Sequence, residues 1–160
     1  MACARWLVVL TSLWVATAVA DTYTARVVAI TDGDTIKVLD SQSRLHKIRL
    51  AGIDAPEKKQ PFGQRSKQHL SEMVFGKEVT LDCNKVDRYR REICVVLIDG
   101  RDANLSQVEV GLAWWYRKYA REQTAQQQAD YEVAEDRARS SRVGLWVEPE
   151  PIPPWEWRHR

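Results

Sequence analysis

From Thr24 onward the chain alternates apolar and polar residues with a period of two, as half-buried strands do, because successive side chains of an extended backbone point to opposite faces. Thr24–Ile30 is rich in β-branched residues, and Thr35–Leu39 places Ile36 and Val38 on one face. After polar Asp40–Arg44, Leu45–Leu50 puts His46, Ile48 and Leu50 on one side, with Lys47 and Arg49 on the other. This pattern predicts that Arg49 points away from the buried face and is free to meet a ligand. Asp32-Gly33 predicts a tight turn, with glycine supplying positive φ at no steric cost. Ala51–Pro61, punctuated by Gly52, Pro56 and Pro61, predicts irregular backbone.

The period then lengthens. Phe62–Phe75 predicts an amphipathic helix that buries Leu70, Met73 and Val74 and ends at Gly76. Glu78–Cys83 and Glu92–Ile98 predict two more strands, the second apolar on both faces and therefore central. Asp99-Gly100 predicts a turn, Asn104–Ala113 a second helix, and Arg121–Ser141 a long polar third helix ending before Gly144. The tail, Glu148 to Arg160, with Pro149, Pro151, Pro153 and Pro154, predicts irregular backbone, with Trp155 and Trp157 packed back on the body. Five short strands interrupted by three α-helices give a mainly β, α+β class and suit a small closed barrel of the OB type, which presents a groove to nucleic acid or sugar polymers. Internal repeats and a second domain are not expected.

The N-terminal stretch changes the domain boundaries. Met1 to Ala20 carries one charge, Arg5, an apolar run from Trp6 to Val15, and the small-residue ending Ala18-Val19-Ala20. This is the layout of a cleavable signal peptide; the run is shorter than the roughly 20 apolar residues of a membrane span. The reading is therefore a signal over 1–20, a domain over 21–147 and a tail over 148–160. The mature protein is expected to be periplasmic or secreted, monomeric, and without a membrane anchor. Of 24 basic residues Arg5 leaves with the signal, and the remainder nearly balance the 22 acidic ones. Bulk-charge coating of nucleic acid is thereby disfavoured, and any nucleic-acid site must be built locally from a few arginines. Cys83 and Cys94 flank a hairpin-like segment; they are read either as a disulfide across neighbouring strands or as two small buried hydrophobes.

The chemistry lies in Asp34, Asp54 and Glu57 with Arg49 and Arg91. Carboxylate oxygens suit a hard divalent cation such as calcium, and guanidinium forks suit phosphate oxygens. Singly, each residue has a plainer use as a turn acid, loop acid or surface charge; together they point to metal-assisted phosphodiester hydrolysis. Pro56 restricts Ala55 to extended conformations, which aims Asp54 and Glu57. His46 and His69 have no acid partner at metal-ligand spacing and receive no role.

Asp32-Gly33-Asp34-Thr35-Ile36-Lys37-Val38, followed by Arg49-Leu50-Ala51-Gly52-Ile53-Asp54-Ala55-Pro56-Glu57, resembles the signature of the thermonuclease (staphylococcal-nuclease-like) family. Asp87-Arg88-Tyr89-Arg90-Arg91 resembles its second signature, and the similarity runs from about Thr22 to Trp146. The resemblance implies a five-stranded OB barrel with three helices and calcium-dependent cleavage of DNA and RNA to 3′-phosphorylated products. It implies Asp34, Asp54 and the Ala55 backbone carbonyl as Ca2+ ligands, Glu57 as the acid that positions or deprotonates water, and Arg49 and Arg91 as phosphate-gripping arginines. Tyr89 matches a nucleotide-contacting tyrosine or caps its hairpin, and Tyr119 is the better candidate for the ligand side of the Trp114–Tyr119 stretch. Two departures stand out: Ala55, where the family often has threonine, and Arg90, where it usually has glycine and where an arginine could compete with Arg91. The reading from a different class is a barrel that binds nucleic acid without cutting it.

Overall fold

The computed structural model describes residues 21–160; the signal-peptide reading of Met1–Ala20 lies outside them. Strands β1 (Asp21–Ile30), β2 (Thr35–Leu39) and β3 (Leu45–Leu50) form an antiparallel meander, with Ile36 opposite Ile48 and Val38 opposite His46. After a two-residue strand β4 (Ile53–Asp54) and helix α1 (Gly63–Val74), β5 (Glu78–Val86) pairs with β1 and β6 (Glu92–Ile98) pairs with β5. A parallel pairing of β3 with β6, Ile48 to Glu92 through Leu50 to Cys94, closes β1-β2-β3-β6-β5 into a five-stranded barrel of the OB type. Closure removes the open edges that a sheet this small would otherwise expose.

The remaining elements are β7 (Arg101–Asp102), α2 (Ala103–Glu109), β8 (Trp114–Trp115), a 3-10 segment Arg117–Glu122, α3 (Ala125–Ser140), a 3-10 turn Gly144–Val147 and a short α4 (Pro154–Trp157). Ile36, Ile48, Leu50, Leu81 and Val96 fill the barrel, capped by Leu70 and Val74 of α1, Val108 of α2 and Tyr131 of α3. Each such burial contributes about 1.5–3 kcal/mol relative to exposure. A second apolar cluster of Trp114, Ala138, Leu145 and Trp146, with Phe62 and Trp155 against it, joins the tail to the body. Cys83 and Cys94, opposite each other on β5 and β6, are disulfide-bonded. Among the described residues no helix is long and apolar enough to cross a membrane.

Several boundaries differ from the pattern reading, for local reasons. α2 ends at Glu109 rather than Ala113 because Gly111 adopts φ +67°, where a Cβ would stand 2.4 Å from the Val143 carbonyl oxygen. α3 begins at Ala125, where Thr124 forms a capping box with Gln127, so Arg121 lies in the 3-10 segment instead. The tail is not wholly irregular: Pro154 at the first helical position, already fixed near helical φ, starts α4. Gly33 is needed for space and not for positive φ, since a Cβ there would lie 1.9 Å from Ser66 Oγ and 2.8 Å from Ala55 Cβ.

Candidate active site

The barrel's closure brings the acids and arginines together. Pairing of Thr35 with Arg49 across β2 and β3 sets Asp34 beside Arg49, and the β3–β6 pairing sets the start of β6, next to Arg91, alongside them. The chain then turns at Gly52, φ +72°, and β4 pairs with β8, Asp54 opposite Trp114. Two buried amides lock these turns. Asn104 Nδ2 donates to the carbonyls of Ala51 and Cys94, both at 3.0 Å, while its Oδ1 accepts from Val96 N. Gln107 Nε2 donates to the Gly33 carbonyl at 2.7 Å and its Oε1 meets His69 Nδ1 at 2.6 Å, so α2 fixes the loop that carries Asp34. That is the structural role of His69.

Asp34 and Asp54 are buried, 6% and 1% exposed, yet both line a cavity of about 350 Å³. Arg49 bridges them, Nη1 lying 3.0 Å from Asp34 Oδ2 and Nη2 2.8 Å from Asp54 Oδ1. Arg49 therefore lies on the face opposite Ile48 and Leu50, as its alternation requires, but engaged by the acids instead of free. Asp34 also accepts from Ala55 N at 2.7 Å and from the Thr35 hydroxyl at 3.0 Å. Burial pushes the Asp54 carboxyl above its usual range, against the hydrogen bond from Arg158 and the charge of Arg49. Burial, reinforced by the Asp34 charge, raises Asp32 to about 6.

Glu57, Ala55, Tyr89, Arg91 and Tyr119 line the same cavity, so the metal, catalytic and substrate-binding candidates read from the sequence converge there. Arg91 is tied to Asp87, Nη2 to Oδ2 at 2.7 Å and Nε to Oδ2 at 2.8 Å, and lies 5.4 Å from the Tyr89 ring centroid. Tyr89 is 60% exposed and Tyr119 41%, with Arg88 and Arg91 over the Tyr89 ring and Lys85 over that of Tyr119. Trp114 and Trp115 are both buried and serve the core. Arg90 is exposed and outside the cavity lining.

Arg158 lines the cavity too and escaped the sequence reading; Asp32, read as a turn residue, and Tyr116, within the Trp114–Tyr119 aromatic stretch, line it as well. The WxWR tail offered only a hint of Arg158, since the spacing of 101 residues to Glu57 carries no local signal. Arg158 Nη2 donates to Asp54 Oδ2 at 2.6 Å, and Nη1 to Glu57 Oε1 at 2.7 Å.

The donor set suits a hard divalent cation. Asp34 and Asp54 offer carboxylate oxygens in a pocket too buried to leave them uncompensated, and guanidinium groups supply the positive charge. Among the described residues, the metal-ligand side chains gathered within 4.8 Å of one another are Cys83, Glu92 and Cys94. Their two sulfurs are bonded to each other and do not form such a site. Glu57 is joined to Asp54 through Arg158, whose Nη1 reaches a carboxylate oxygen of each.

Residues 47–148 match the family model described as staphylococcal nuclease homologue. The chain is 42% identical over 137 residues to a Haemophilus influenzae protein named an uncharacterized endonuclease, covering 86% of this chain and 74% of that one. It is 40% identical over 145 residues to a Shigella flexneri protein named micrococcal nuclease, covering 85% and 80% of the two chains. A staphylococcal-like nuclease of Arabidopsis thaliana is 38% identical over 112 residues, 70% of this chain and 33% of that one. With barrel, cavity and sequence in agreement, the chain belongs to the staphylococcal nuclease homologue family.

Proposed function

We propose that this protein is an exported, calcium-dependent endonuclease that hydrolyses phosphodiester bonds of DNA and RNA with little base specificity. The observation that carries the reading is the meeting, in one cavity, of two buried carboxylates, a more exposed Glu57, and Arg49 and Arg91. Asp34, Asp54 and the Ala55 carbonyl would hold the ion. When bound, a divalent cation supplies charge neutralisation at the phosphoryl oxygens and polarises water.

Arg49 and Arg91 hold the phosphate and are placed before the reaction begins, Arg49 by Asp34 and Asp54 and Arg91 by Asp87. Glu57 orients the attacking water and accepts its proton. The water oxygen bonds to phosphorus, the bond to the 5′ oxygen breaks, and the fragments carry a 3′-phosphate and a 5′-hydroxyl. Tyr89 and Tyr119 offer rings on which bases stack whatever their identity.

The test is cleavage of single-stranded DNA by residues 21–160 with calcium and then with a chelator. Cleavage abolished by the chelator, and lowered about 10²–10⁴-fold by Glu57→Gln, is expected. Tight binding without cleavage in either condition would assign the chain to the non-cutting class instead. N-terminal sequencing of the exported protein is expected to begin near Asp21.

A further inference from the structure

We propose that Arg158 is a third phosphate-contacting arginine, carried by the tail, which closes the Asp54 and Glu57 carboxylates in the metal-free protein and turns to the substrate when a divalent cation takes Asp54. The inference rests on the metal reading above. Its first support is placement. The tail is anchored short of Arg158 by buried Pro154 and by Trp155, whose ring stacks on Tyr116 at 5.2 Å and 10° and meets Trp114 edge-on at 6.4 Å. Gln60 ties the tail to the site, donating from Nε2 to the Ile152 carbonyl at 2.5 Å and accepting from Glu57 N at 3.0 Å. Arg158 is therefore delivered by a fixed support to the cavity that holds Arg49 and Arg91.

The second support is the contact itself. Arg158 spans both oxygens of Asp54, at 2.6 Å and 3.3 Å, and reaches Glu57 with the same Nη1. Asp54 already accepts from Arg49 on Oδ1, so a cation binding this carboxylate competes with Arg158 for it. The lining carries four carboxylates and four arginines, so adding two positive charges beside Asp34 and Asp54 leaves the cavity net positive. The anion that then suits a released guanidinium is the phosphodiester, matched by the same planar fork.

This arrangement has a crossed signature. In Arg158→Ala, calcium alone binds about tenfold more tightly by calorimetry, because its competitor is gone, while thymidine 3′-phosphate binds the calcium-loaded protein about tenfold more weakly. Arg158→Gln reads the same two quantities and serves if the alanine variant fails to fold. Unchanged or weaker calcium affinity in a variant, with wild-type calcium binding intact, overturns the proposal. Tighter calcium binding with nucleotide affinity unchanged or raised also overturns it, leaving the tail as a plug only. A wild-type protein that binds no calcium overturns the metal reading, and this inference with it.

Discussion

Arg90 occupies the left-handed region at φ +59°, in the turn where Asp87 accepts from the backbone N–H groups of Tyr89 and Arg91 and holds the Arg91 guanidinium. The conformation explains why glycine suits this position, and exposure explains why arginine is tolerated. A left-handed non-glycine residue costs roughly 1–2 kcal/mol, while glycine loses about 0.5–1 kcal/mol more chain entropy on folding. Arg90→Gly is therefore expected to raise stability by about 0.5–1 kcal/mol in urea denaturation. Steady-state cleavage should not change, because Arg90 lies outside the cavity lining and does not compete with Arg91. A change in cleavage without a change in stability would contradict this account. At this scale Asp34, Arg49, Asp54, Ala55 and Glu57 were legible because they fall in one short, ordered stretch whose residue types have a joint chemical meaning. Arg158 was not, because only the folded tail, held by the stack of Trp155 on Tyr116, brings it to that stretch.

At the scale of elements, α3 shows how a polar helix can carry structure. Its sequence is polar on most faces, so periodicity did not show that Glu135 is fully buried. Glu135 Oε1 accepts from Trp115 N at 3.1 Å, and Oε2 pairs with Arg117 at 2.5 Å and Arg139 at 3.3 Å. It thereby clamps β8, the only partner of β4 among the described residues, and β4 carries Asp54. Glu135→Ala leaves the Trp115 N–H without its acceptor and should destabilise the fold by about 1–3 kcal/mol, measured by chemical denaturation. Calcium affinity should weaken along with stability, since the Asp54 carboxylate loses its support; full metal affinity in a destabilised variant would separate the clamp from the site. The strands and α1 were legible because period-two and helical patterns are long enough to declare themselves. The two-residue β4 and β8 were not, because a pairing that short depends on tertiary contacts such as Glu135 and leaves no periodic trace.

For the whole molecule, the decisive event is closure of the barrel, and its β3–β6 seam is joined at the Glu92 end by a polar cluster outside the cavity lining. His46 of β3 meets Glu92 of β6 through Nδ1 at 2.6 Å and Asp40 through Nε2 at 3.1 Å, while the Tyr23 hydroxyl of β1 donates to Glu92 at 2.6 Å. These acid partners lie 46 and 6 residues from His46 in sequence, which is why sequence alone assigned it no role. The hydrogen bond to Glu92 raises the His46 pKa above its ordinary value of 6.5, outweighing partial burial, and Asp40 adds to the effect. A raised folded-state pKa means that the native protein holds this proton more tightly than the unfolded chain. The resulting stability is fully present below the unfolded value and declines as pH rises through the higher folded value. His46→Gln should therefore lower the Tm most near about pH 5.5 and progressively less toward about pH 9, where the wild-type imidazole is neutral too. Thermal unfolding of both proteins across that range reads the difference directly. A gap that stays constant with pH would mean that His46 supports the seam by packing and neutral hydrogen bonding alone. A gap that closes with rising pH would show that the protonated ring helps hold the two strands whose pairing sets Arg49 beside β6.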